Sequence, residues 1–378
     1  MKRLRLFILI GMTMVLATGC WDRREINDVV LVVALGLDKI KDKYLVTLQL
    51  PILTGGKEEK GGQRAYVLDS SLGRNIGEAI NNMQKRNSRV FKLSHMRVVF
   101  IGEELAKNGI AEILDYMNRN GEVRQSAFMF VTEGKATDSL NTHPKLDRIS
   151  SESIREIASM LNYGVSIREF LSDYYKEGKD PIVPVVHVTE RNIPEITTMA
   201  LFKDDKMILK TNVAQSLGIS WLKKSTKGSG ITFRNHKGKF NTVIVTEQNV
   251  KIRPNFQVNN PSFHIDLHAK GFLLEYGDYS SLKNIEEVHQ LEEDMANEIK
   301  REVKSLIQTS LAANVDPIGF GYYLRGLHNV SWEEKWKHQW TQLLPTMKTT
   351  IRAEFVLTQT GFNFNNAGKK ESARERGD

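Results

Sequence analysis

NIEEVHQLEEDMANEIKREVKSLIQTSL, running from Asn284 to Leu311, is the stretch on which a reading of the fold turns. Ile285, Val288, Leu291, Met295, Ile299, Val303, Leu306 and Leu311 fall three or four apart through almost its whole length, with polar residues between them. That is the period of one amphipathic helix with a single apolar stripe. Asn284 and Glu287 stand where the two halves of an N-terminal cap would, asparagine replacing the usual serine or threonine. At about 1.5 Å per residue the helix is on the order of 40 Å long. One apolar stripe of that length is expected to lie across a sheet, and strands to build one are at hand. From Ile196 onward strand patterns dominate, broken by the KKSTKGSG and NHKGK turns, and TTIRAEFVLTQTG supplies a last strand after the helix. The reading is a C-terminal α/β domain over 196–364, with 365–378 as a polar, disordered tail.

Moving toward the N-terminus, VVLVVALGLD and KYLVTLQLP read as two strands joined by the polar KIKD, and TGGKEEKGGQ (54–63) as a loop. RNIGEAINNMQKR sets Ile76, Ile80 and Met83 on one helical face, MRVVFIG is a strand, and EELAKNGIAEILDYMNRN is helical to Asn120. QSAFMFVTEGK is a further strand, and SESIREIASML and SIREFLSDYY are two amphipathic helical pieces. This alternation defines an N-terminal α/β region over 20–177, with room to divide into two domains. Pro181, Pro184 and Pro194 crowd one short span, and proline neither continues a helix nor donates to a sheet, so 178–195 reads as a linker or crossover. The fold class is mixed α/β of the α+β kind, multidomain, with mixed sheets packed by helices.

Residues 1–19 differ from the rest. Lys2, Arg3 and Arg5 precede the apolar run from Leu6 to Leu16, and Ala17, Thr18 and Gly19 lead into Cys20, the sole cysteine of 378 residues. Basic start, short apolar core and small-residue exit are the layout of a secretory signal peptide. The apolar run spans only about 16 Å, roughly half of a ~30 Å hydrocarbon core, which argues against a permanent membrane helix. The segment resembles the lipobox of bacterial lipoproteins, although Ala17 takes a place usually held by Leu, Val or Ile. The resemblance implies a diacylglyceryl group on Cys20, with or without N-acylation, as a membrane anchor and no other cofactor. The body that remains is 40% hydrophobic and 26% charged overall and contains no later run of ~18 apolar residues, so it reads as globular. Its positive excess suits a surface of anionic lipid, and without an arginine-rich helix or RNA-binding aromatic motif nucleic acid is not expected as a partner.

Several side-chain patterns invite a functional reading. His264, Asp266 and His268 share a strand face, but steps of about 6.6 Å put the outer pair too far apart for one ion, so no metal site is assigned. Trp332, Trp336 and Trp340, behind a Ser331–Glu334 capping box, form a stripe suited to a core, a partner surface or a membrane interface. Lys223, Lys224, Lys227, Arg234, Lys237 and Lys239 surround glycine turns without P-loop spacing, and read as a solvated hairpin or a contact for anionic lipid or an acidic partner. No Ser-His-Asp, zinc-hydrolase or paired-carboxylate arrangement emerges, so no catalytic residue is named and the chain is not read as an enzyme.

GCWDRREINDVVLVVALGLD resembles the start of the mature C-type subunit of bacterial spore germination receptors, the Ger(x)C family of lipoproteins. The matching residues are Cys20, Trp21, Asp22, Glu25, Gly36 and Asp38. HMRVVFIGEELAKNGI (95–110) is similar to a second signature of that family and MALFKDDKMI (199–208) to a third. NVDPIGFGYYLR (314–325) resembles its Asp-x-x-Gly-Phe-Gly turn, here Asp316, Gly319 and Gly321, which join the tryptophans as candidate partner contacts. The resemblance implies several mixed α/β domains, no recognised enzymatic activity, and a place on the outer surface of the spore inner membrane beside membrane A and B subunits that together respond to nutrients. Two other classes are weighed against it: a solute-binding lipoprotein, which would need a large interdomain cleft, and a cell-wall hydrolase.

Overall fold

The computed structural model describes residues 28–52, 65–255, 261–277 and 285–359. The leader, Cys20, Trp21, Asp22, Glu25, the 54–63 loop, Asn284 and the 365–378 tail lie outside the described residues.

The chain enters through β1 (Val29–Leu31) and the hairpin of β2 (Ala34–Ile40) and β3 (Lys43–Pro51), whose turn carries Lys41 at φ 53°. β4 (Tyr66–Gly73), α1 (Ile76–Gln84), β5 (Val90–Lys92) and β6 (Val98–Gly102) follow. The next helical stretch is broken in two, α2 (Glu103–Asn108) and α3 (Ala111–Arg119), because Gly109 turns the backbone to φ 123°. Then come β7 (Phe128–Thr132), α4 (Ala136–Leu140), α5 (Ser150–Met160) and α6 (Ile167–Tyr174), the last opened by a Ser166–Glu169 capping box. β8 (Ile182–Val188), β9 (Pro194–Lys203) and β10 (Lys206–Lys210) complete a mixed eight-stranded sheet of order β10-β9-β8-β7-β6-β2-β3-β4, while β1 and β5 pair separately. Helices cover both of its faces. Val99, Ile101, Met129 and Val131 point to one core with Ile76, Ile113 and Phe170, and Val98, Phe100 and Phe130 point to the other with Leu140 and Ile154.

Here the structure departs from the sequence reading. Residues 178–195, read as a linker or crossover, contain β8 and the first residues of β9, and β9 and β10, read as the start of the C-terminal domain, belong to the N-terminal sheet. The prolines are tolerated for positional reasons. Pro181 precedes β8, Pro194 is the first residue of β9, and Pro184 falls just before the short β7–β8 ladder, which pairs Val131 with Val185 and Thr132 with Val186.

After α7 (Val213–Lys223) the chain forms a second sheet from β11 (Gly230–Arg234), β12 (Phe240–Asn255) and β13 (Ser262–Glu275). The expected long helix is α8 (Ile285–Ala312). A turn leads to α9 (Phe320–Leu327), α10 (Asn329–Ser331), a π-helical turn over Trp332–Trp336 and α11 (Lys337–Leu343). β14 (Lys348–Gln359) then closes the sheet in the order β11-β12-β13-β14, parallel to β13. Leu291, Met295, Ile299 and Val303 of α8 pack with Val243, Ile265, Leu267 and Phe355 of this sheet, so the stripe lies across it as expected. The Ser331–Glu334 capping box does not form: Ser331 has helical backbone angles and no capping hydrogen bond, because the chain is already helical there.

Candidate assembly site at the seam of the two sheets

The two sheets meet through a packed layer of Ile182, Met199 and Leu201 from the first, and Ile219, Leu306 and Val315 from α7, α8 and the turn after it. Beside that layer the loop Glu177–Asp180 docks on the turn Asp316–Tyr322. Asp316 organises the turn. Its carboxylate accepts the Gly319 and Phe320 N–H groups at 2.8 and 3.0 Å through one oxygen and the Gly321 N–H at 3.0 Å through the other. These are the free donors at the start of α9, so Asp316 is the helix cap, set three residues ahead of Gly319. Gly319 itself sits at φ 83°, a conformation a side chain would strain.

Main chain from the other half joins here. The Asp180 N–H donates to Asp316 O at 2.8 Å, and the Asp316 N–H donates back to Asp180 Oδ2 at 2.6 Å. Lys203 Nζ pairs with the same Asp180 oxygen at 3.1 Å, and the Tyr322 N–H donates to Gly178 O at 2.9 Å. The backbones approach so closely that a Cβ on Gly321 would lie 2.6 Å from Gly178 Cα and 2.7 Å from Trp332 Cη2. Only two facing glycines allow that contact. Around it, Glu177 accepts from Lys337 Nζ at 2.9 Å and pairs with Arg325 at 3.7 Å, across the same seam. Burial pushes the Asp316 carboxyl up to about 7 against the opposing pull of its three N–H donors. Asp180 is also raised by burial, with Lys203 opposing.

A second close approach lies between α7 and α8. A Cβ on Gly218 would come within 2.7 Å of Glu302 O, and one turn on, Trp221 Nε1 donates to Glu302 Oε2 at 2.7 Å. Glu302 is 2% exposed, and burial raises its carboxyl to about 8. One indole donor offsets little of the cost of desolvation.

Asp316, Gly319, Gly321, Trp332 and Trp340 are thus brought together. The tryptophans are core residues of this chain: all three are buried, and Trp332 and Trp340 stack edge to face over Gly321 with ring centroids 5.3 Å apart. Gly36 and Asp38 lie elsewhere. Asp38 Oδ1 accepts the Ala136 N–H at 2.9 Å and so caps α4, Gly36 leaves room for Leu140, and Gly102 leaves room for Asp38. Burial raises Asp38 as well. His264, Asp266 and His268 do not converge. Asp266 pairs with Arg253 and His268 with Glu354, both at 3.0 Å, and no cluster of three metal-ligating side chains occurs among the described residues. On the basic hairpin Arg234 stacks on Phe240 at 4.8 Å from the ring centroid. Sequence reasoning missed Gly178, Asp180, Lys203, Gly218 and the Trp221–Glu302 pair, although a glycine beside an acidic residue at 178–180 was visible inside the supposed linker.

Two sheets locked by facing glycines and an aspartate-capped turn describe a rigid α+β body whose halves are built as one unit. The same architecture occurs in the crystal structure of the GerBC protein, which superposes with a TM-score of 0.59 over 86% of this chain and 96% of that one at 21% identity. This chain belongs to the spore germination GerAC family: the model described as spore germination protein N-terminal domain matches residues 22–188, and that described as spore germination B3/GerAC-like, C-terminal, matches 197–361. The first model ends with β8 and the second begins inside β9, so the boundary between them lies within the eight-stranded sheet. Among curated relatives, YfkR of Bacillus subtilis (strain 168), provisionally named a spore germination protein, is 29% identical over 92% of this chain and 95% of its own length. Spore germination protein GerQC of Bacillus cereus is 25% identical over 96% of this chain and 99% of its own. Spore germination protein KC of Bacillus subtilis (strain 168) is 25% identical over 96% and 97%. A role in germination follows, and no enzymatic family is indicated. Among the described residues no helix is long and apolar enough to cross a membrane.

Proposed function

We propose that this protein is the lipid-anchored, non-catalytic C subunit of a nutrient germinant receptor, held by a diacylglyceryl group on Cys20 at the outer surface of the spore inner membrane and acting with membrane A and B subunits. The observation that carries the reading is end-to-end similarity to germination proteins, GerQC among them, joined to a Cys20 that follows a basic, apolar, small-residue leader. A seam whose glycines forbid sliding suits a subunit that transmits position and does not open around a solute. Two or more acyl chains suffice to hold such a body on a bilayer. The test is deletion in the source organism followed by germination over a nutrient panel: loss of response to a defined subset of nutrients, restored by the intact gene, is expected, and an unchanged response to every nutrient overturns the reading.

A solute-binding role has one feature in its favour, a cleft of 730 Å³ lined by Tyr44, Ile76, Glu112, Tyr116 and Arg119 on the N-terminal half. Calorimetry of the purified protein with amino acids and sugars separates the two readings. No saturable heat is expected at ~1 mM ligand, equivalent to about −4.1 kcal/mol, and saturation at or below that concentration would favour solute capture.

A further inference from the structure

The long outer strands of the two sheets are treated differently by the chain. On β4 the carbonyls are taken from the side: Asn82 Nδ2 donates to Leu72 O at 3.1 Å and Arg86 donates to Ser70 O at 2.6 Å. The edge strand β10 is only five residues long and carries Lys206 and Lys210, two of the ordinary devices against unwanted pairing. β14 has twelve residues and stands at the edge of its sheet. Among the described residues one side chain reaches its edge, Glu292, which accepts the Leu357 N–H at 2.8 Å near the far end.

The open part of this edge borders a groove of 880 Å³ between α8 and the start of β14. Its floor is apolar, with Ile307, Leu311, Met347 and Ile351, and Lys300, Arg301 and Lys304 line its α8 side. Arg301 is paired with Glu298. Lys300 and Lys304 form no ion pair among the described residues, and neither do Lys348 and Arg352 on the strand itself. An unpaired strand edge, an apolar floor and two cations on its rim without an ion-pair partner among the described residues, Lys300 and Lys304, form a receptor for an extended chain that brings its own carboxylates.

We propose that β14 is a docking edge onto which an extended acidic segment of a partner protein adds as a further strand, its carboxylates meeting Lys300 and Lys304 and its apolar residues resting on Ile307, Met347 and Ile351. A second copy of this chain is the wrong occupant, because pairing two β14 edges brings like charges of the two grooves together without supplying acid. The inference does not rest on the receptor reading, since it follows from charge and edge geometry alone.

The test uses the full-length chain in nonionic detergent and the labelled octapeptide acetyl-Val-Thr-Glu-Thr-Val-Thr-Glu-Thr-amide, whose valines and glutamates share one strand face, with the peptide carrying Lys in place of both Glu as control. Saturable binding of the acidic peptide, slowed exchange on binding of those Thr349–Ala353 amides that point away from β13 at the open edge, and no binding of the basic one are expected. Lys300→Glu with Lys304→Glu, both at exposed or half-exposed positions on α8, should fold as the parent does by thermal melting and bind about tenfold more weakly. Absent binding, or binding that ignores the charge reversal, overturns the proposal. So does protection of these amides in the peptide-free chain, whether in a monomer, where the chain's own residues would cover the edge, or in a dimer, where a second copy would.

Discussion

Replacing Glu302 with glutamine should stabilise the protein at alkaline pH and leave it little changed in acid. Glu302 is buried where α7 crosses α8, its one direct hydrogen-bond donor among the described residues is Trp221 Nε1, and burial lifts its carboxyl from 4.5 to about 8. The folded state therefore holds a proton that the unfolded chain releases near 4.5. Stability is at its full value below that pH, falls as pH rises, and levels off above about 8. At about 1.4 kcal/mol per tenfold change the whole loss is about 4–5 kcal/mol, an upper value because relaxation around a buried charge recovers part of it. Glu302→Gln keeps an acceptor for the indole and removes the titration. Urea denaturation followed by tryptophan fluorescence reads the right region, since Trp221, Trp332, Trp336 and Trp340 all lie in the C-terminal core. Parent and variant should agree within about 1 kcal/mol at pH 5 and differ by at least about 2 kcal/mol at pH 8.5, the variant being the more stable. Asp316, raised to about 7, titrates in the same window, so the difference between the two proteins is the quantity to compare. Curves that run parallel from pH 5 to 8.5 would show that Glu302 is ionised throughout and refute the reasoning.

Gly321→Val places a branched side chain where a single Cβ already lies 2.6 Å from Gly178 Cα and 2.7 Å from Trp332, and should cost about 3 kcal/mol or more, measured by the same denaturation. Stability within 1 kcal/mol of the parent would show that the seam yields, and a folded variant that no longer co-isolates with membrane partners would tie the turn to assembly. Cys20→Ala should abolish lipid labelling and release the exported body from membranes, while equal labelling of variant and parent would remove the anchor from the account. Germination is expected to fall less than retention does, because contacts to partner subunits raise the local concentration of an untethered chain.

Most of the fold was legible because its elements keep their period. α8 was read nearly residue for residue from an apolar stripe that survives 28 residues of helix. The β2–β3 hairpin and β14 were read from β-branched runs and the turn residues beside them. What failed was local chemistry overridden by context. Pro181, Pro184 and Pro194 suggested a linker, yet each occupies a place in or before a strand where its missing N–H costs little. Ser331 and Glu334 have cap spacing, but a cap needs a chain entering a helix, and here the helix is already under way. The seam was legible on one side only: Asp316, Gly319 and Gly321 stood out as a turn, but the loop they receive did not. Asp180 and Asp316 are 136 residues apart in sequence, and no local pattern reveals that one carboxylate waits for the other's N–H.

The positions that carry the family resemblance prove to face one another. Gly102, in the second signature, makes room for Asp38 of the first. Gly109, at the end of that second signature, is packed against Asp205 of the third, whose carboxylate also accepts the Ala111 N–H at 3.1 Å. Lys203, again in the third, neutralises the Asp180 that receives the Asp316 N–H of the fourth. Small residues and buried carboxylates at such junctions act on geometry: the glycine permits approach, and the carboxylate ties down amide hydrogens left free where a helix begins. Asp38, Gly102, Asp180 and Asp316 are buried and Gly109, Lys203 and Asp205 half-buried, so a substitution at these junctions reports first on whether the chain packs as it should. The β14 edge, which no signature includes, is the surface on which we place an acidic strand, and Lys300 and Lys304 of α8 beside it give it a chemical preference that the seam lacks.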